Sequence, residues 1–75
     1  MNIPEAVILA AGEFVEQYGA RFDYLGGYKD FGVWVFLFPA IENTGFPYVY
    51  LYKDVKVEEI SGWFALDIIS SITDN

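Results

Sequence analysis

Phe31-Gly32-Val33-Trp34-Val35-Phe36-Leu37-Phe38-Pro39-Ala40-Ile41 runs for eleven positions without a polar side chain. Successive side chains of a strand point to opposite faces, so this segment is apolar on both. Val33, Val35 and Leu37 lie on one face, and Trp34, Phe36 and Phe38 on the other. A strand of that kind needs cover on both sides of its sheet. Two covering layers are hard to supply from a chain of 75 residues, so the expectation is that another molecule provides one of them.

Working outward, Arg21 to Tyr28 predicts a preceding strand, with Phe22 and Tyr24 on one face and Asp23 and Leu25 on the other. Gly26-Gly27 inside it predicts a bulge, a bend or the close approach of another backbone. Lys29, Asp30 and Gly32 supply the turn into the second strand, 33–38, which Pro39 closes. Glu42-Asn43-Thr44-Gly45 reads as a loop. The third strand, Pro47 to Lys53, sets Tyr48, Tyr50 and Tyr52 on one face and Val49 and Leu51 on the other. Asp54-Val55 then turns the chain into a short fourth strand at 56–60. Val55, Lys56 and Val57 favour that reading over an early helix start.

The ends of the sequence are helical in pattern. Over 2–18, Val7, Ala10, Ala11, Phe14, Val15 and Tyr18 recur at helical spacing, and Glu5, Glu13, Glu16 and Gln17 fall elsewhere. Asn2 with Glu5 resembles a capping box, Pro4 suits the first turn, and Gly19 suits a left-handed stop. At the other end, Ser61 is the expected N-cap of a helix over 62–72, with Ile60 and Ala65 as a hydrophobic staple. Phe64, Ala65, Ile68, Ile69 and Ile72 make its apolar stripe, widened by Leu66. Asp67, Ser70, Ser71 and Asp74 mark the wet side, with Trp63 on or near it. The order helix–strands–helix predicts one α+β domain over 1–75, an antiparallel meander of three or four strands. Both helices are expected on one sheet face, leaving the other open.

Composition narrows the function. Eleven acidic against four basic residues give a net charge of −7, which disfavours direct contact with nucleic acid or anionic lipid. Solubility is the simplest use of that charge. With no Cys and no His, neither a nucleophile–base triad nor a zinc site can be drawn. Asp23, Glu42, Asp54, Glu58 and Glu59 form no paired-carboxylate motif, and no calcium-loop pattern occurs. Gly26-Gly27 is not a phosphate-cradling loop. The expectation is therefore a protein that is not an enzyme and uses no cofactor or metal. No apolar run reaches the roughly 18 residues of a membrane span. The Met1–Gly12 stretch lacks the basic leader of a signal peptide, so the expected location is cytoplasmic.

What remains is association. Aromatic rings and tyrosine hydroxyls suit interfaces because they join apolar area to a polar tip. The expected docking surface is Tyr48, Tyr50 and Tyr52 with Trp34, Phe36 and Phe38, and Trp63 at the rim. The partner expected is a second copy of the chain, in a homodimer, and beyond it another protein. The alternative is an acidic inhibitor that imitates nucleic acid, which would need its carboxylates in rows on one surface.

Overall fold

A computed structural model describes residues 2–39 and 47–73. Its elements are α1 (Glu5–Ala10), α2 (Gly12–Tyr18), β1 (Phe22–Tyr28), β2 (Phe31–Phe36), β3 (Tyr48–Lys53), β4 (Lys56–Ser61) and α3 (Trp63–Thr73). The four strands form one antiparallel sheet in the order β1-β2-β3-β4, so the chain is the α+β meander expected. The expected loop at Glu42–Gly45 lies outside the described residues.

Two-residue turns set the register of both outer hairpins. Lys29 and Asp30 have φ of 47° and 70°, and Asp54 and Val55 have 50° and 58°. Positive φ at both central residues matches the right-handed twist of the flanking strands. Tyr28 therefore opposes Phe31, and Lys53 opposes Lys56. Gly32 belongs to β2 rather than to the turn. The glycine pair does make a bulge: the register shifts between Tyr24 and Gly26, leaving Leu25 as the extra residue. Gly26 sits at φ 122°, which an L side chain rarely adopts, and Ile72 of α3 packs over it, 3.5 Å from where a Cβ would stand.

The N-terminal helix differs from its expected form. It begins at Glu5 after Pro4, with no side-chain cap; the Pro4 carbonyl accepts from Val7 and Ile8 N–H instead of an Asn2–Glu5 capping box forming. It also breaks at Ala11, whose φ and ψ are −93° and 20°. Gly12 follows, the weakest helix former after proline. The break seats Val7 and Ala11 in the core and turns Phe14 and Tyr18 over Phe36 and Phe38. Gly19 ends the helix at φ 89°, but with an extended ψ of 171° rather than a left-handed helical one. Ser61 closes β4 instead of capping α3; Gly62, at φ 72°, makes the turn and the helix starts at Trp63.

The main correction concerns the layers. Trp34, Phe36 and Tyr50 share a buried cluster with Val7 and Ala11, so α1 and α2 cover the aromatic face. Val33, Val49 and Leu51 share another with Ala65 and Ile68, so α3 covers the aliphatic face. The helices lie on opposite sides of the sheet, not on one. Helices of six and seven residues, with a third of eleven, suffice to sandwich strands this short. Both sides of β2 are thus covered from within the chain, and the reason for expecting an outside layer disappears.

Candidate functional site

Tyr50 was the expected centre of a docking face; it is a core residue, 0% exposed. Trp34 and Phe36 are buried beside it. Those three cannot form an open surface, because α1 and α2 already occupy that side. Tyr48, Tyr52 and Phe38 are half-buried against the same cluster. The Phe14 ring contacts three of the set, with centroids 5.4 Å from Phe36, 4.9 Å from Phe38 and 4.8 Å from Tyr48.

A buried tyrosine hydroxyl without a partner is costly, which argues against placing Tyr50 in the core. The hairpin solves this. Glu59 lies directly opposite Tyr50 on β4, and the Tyr50 hydroxyl donates to Glu59 Oε2 at 2.8 Å. Burial first, then the bond to Glu59 and its negative charge, push the phenol well above the ordinary tyrosine range. It stays a neutral donor, and the carboxylate it holds sits at the sheet edge with access to water. The signal was present in the chain: a two-residue turn at Asp54-Val55 pairs residues whose numbers sum to that of Lys53 plus Lys56, and so pairs Tyr50 with Glu59.

Trp63 is the member of the expected set that stands out from the surface, 74% exposed, and Phe64 beside it is 75% exposed. The sequence reading placed Phe64 in the core stripe of α3. That stripe is centred on Ala65, Ile68, Ile69 and Ile72, and Phe64, on its flank at the first turn, misses the sheet. Gly62 supplies the sharp exit from β4 that presents the two rings at one corner. Among the described residues, Leu9 and Val55 are the other strongly exposed apolar side chains, and Tyr24 and Leu37 are partly exposed.

An open groove of about 500 Å³ lies at the α1–α2 break, walled by Leu9, Phe14, Tyr48, Glu13 and Glu59. Its carboxylates favour cations over anions. No group of three or more His, Cys, Asp or Glu among the described residues converges as metal ligands would. The described acids lie on both outer layers (Glu5, Glu13, Glu16 and Asp67), at both hairpin tips (Asp30 and Asp54) and on the outer strands (Asp23, Glu58 and Glu59). Two of the bases, Lys29 and Lys53, lie over the Tyr28 and Phe31 rings. No described helix is long and apolar enough to cross a membrane. Comparison with protein-family models, with curated proteins and with solved structures returned no match for this chain.

Proposed function

We propose that the protein is a small non-enzymatic interaction module that pairs with a second copy of itself through the corner carrying Trp63 and Phe64. The observation behind this reading is that two adjacent large aromatic side chains are three-quarters exposed in a domain that covers both sheet faces itself. Tryptophan is the residue type most concentrated at binding hot spots. The aromatic sheet face, buried under α1 and α2, has no part in it.

The same geometry bounds the strength. Side chains of this kind bury about 150–250 Å² each, so the exposed parts of the two offer roughly 300 Å² per protomer. A stable interface takes about 800 Å² from each partner. Pairing through this corner is therefore weak, with Kd in the range of about 10 µM to 1 mM, unless adjoining surface contributes. Tryptophan emission tests it, because Trp34 is buried within the protomer and Trp63 is exposed. Concentrating the protein should shift emission to the blue and shield it from acrylamide. Replacing Trp63 and Phe64 together by Ser should abolish concentration-dependent association. An unchanged Trp63 environment up to about 1 mM would refute self-association at this corner; burial only on adding another protein would assign the surface to that partner instead.

A further inference from the structure

Among the described residues, the strand order leaves β1 and β4 each with one side unpaired. The β1 edge is interrupted by the Leu25 bulge and the positive-φ Gly26, devices that discourage pairing. β4 has neither: its register against β3 is regular from Lys56 to Ser61, without glycine or proline. The two-residue turn at Asp54-Val55 decides which of its amides face out. Lys53 and Lys56 flank the turn and form a hydrogen-bonded pair, and such pairs alternate along an antiparallel ladder. Glu58 and Ile60 therefore also bond to β3, while Val57, Glu59 and Ser61 present N–H and C=O to the outside.

Those three positions are symmetric about Glu59. We infer that two copies join β4 edge to β4 edge, antiparallel, about a two-fold axis at Glu59, making one continuous sheet. This rests on the self-association proposed above and names its surface. Only this centre gives every outward group a partner: Val57 meets the partner's Ser61, Glu59 meets the partner's Glu59, and Ser61 meets the partner's Val57. Centring on Val57 or Ser61 leaves some of them unbonded.

The exposed apolar residues agree with this register. Val55, 77% exposed at φ 58°, is a β-branched residue in a conformation such residues avoid. It precedes β4, and Trp63 and Phe64 follow it. Val55 and Trp63 lie just beyond the two ends of β4, so antiparallel pairing brings the hairpin tip of each copy toward the aromatic corner of the other. The cost is the meeting of two Glu59 carboxylates. Tyr50 reduces it by holding Oε2 at 2.8 Å, on the β3 side and away from the axis.

Amide hydrogen exchange of the full chain, followed by NMR at low and high concentration, tests the pairing residue by residue. Exchange at Val57, Glu59 and Ser61 should slow about fivefold when the total protein is at ten times its Kd, where about a fifth of the chains are unpaired, while Glu58 and Ile60, already bonded to β3, change little. Glu59→Gln keeps an acceptor for Tyr50 and removes the opposed charges, so it should tighten association roughly twofold to fivefold. Association with no slowing at the three outward amides, or a Glu59→Gln variant that associates no better, would overturn the edge pairing while leaving the aromatic corner as the contact. A mass of 8.5 kDa at every concentration would remove both.

Discussion

Replacing Tyr50 separates the core role of this residue from an interface role. Tyr50→Ala removes a fully buried ring that packs edge-on against Phe22 with centroids 6.0 Å apart, and opens a cavity under α1. Large-to-small changes of this kind cost about 3–5 kcal/mol. A domain of 75 residues, at 0.05–0.15 kcal/mol per residue, has about 4–11 kcal/mol in total, so the variant should lose about half of its stability. Tyr50→Phe keeps the ring and loses only the bond to Glu59. That carboxylate can return to water, so the cost should be about 1.5 kcal/mol, at the low end of the range for bonds to charged groups. Urea unfolding followed by circular dichroism measures both. The reasoning is refuted if Tyr50→Ala loses less than about 1 kcal/mol and instead weakens association, because the ring would then be at an interface and not in the core.

Three further outcomes follow from the structure. Val55→Gly relieves left-handed strain of roughly 1–2 kcal/mol against about 0.5–1 kcal/mol of added unfolded-state freedom. The net gain of about 0.5–1 kcal/mol should appear as a Tm several degrees higher, and a lower Tm would show that the turn is not strained. Ile68→Ala, in the aliphatic cluster, should cost about 2–5 kcal/mol, and Phe14→Ala should fall at or below the low end of about 3–5 kcal/mol because its ring is half-buried; losses under 1 kcal/mol for both would mean the helix faces are misassigned. The contribution of Tyr50 to stability should be constant below pH 10 and fall above it: the Tyr50 phenol is raised in the folded state, so deprotonation near 10 favours the unfolded chain. A pH titration of the unfolding midpoint should show a shallower alkaline fall in Tyr50→Phe.

The strands were legible because alternation and two-residue turns are local. Tyr48, Tyr50 and Tyr52 against Val49 and Leu51 define β3 wherever the helices go, and Gly26-Gly27 marks the bulge. The placement of the helices is not local. Both have one apolar face, and either could lie on either side of the sheet; what decides is the two-sided apolar character of β2. That feature is plain in the sequence, but the shortness of the chain points to another molecule for one of the two covering layers, whereas three short helices suffice. The burial of Tyr50 is hidden for a related reason, since its partner Glu59, nine residues away, becomes visible only when hairpin register is counted. Phe64 and the break at Ala11 depend on where a helix starts and bends against the sheet, which spacing along the helix does not report. Of the expected contact residues, Trp63 keeps its place at the surface because it lies opposite the apolar stripe of α3.

Sedimentation equilibrium across a concentration series tests self-association most directly. The protomer is 8.5 kDa, and the account expects a weight-average mass that rises toward twice that value between about 10 µM and 1 mM. The same series on the Trp63→Ser, Phe64→Ser variant should stay at the protomer mass. A wild-type chain that sediments at 8.5 kDa over the whole range would contradict the account.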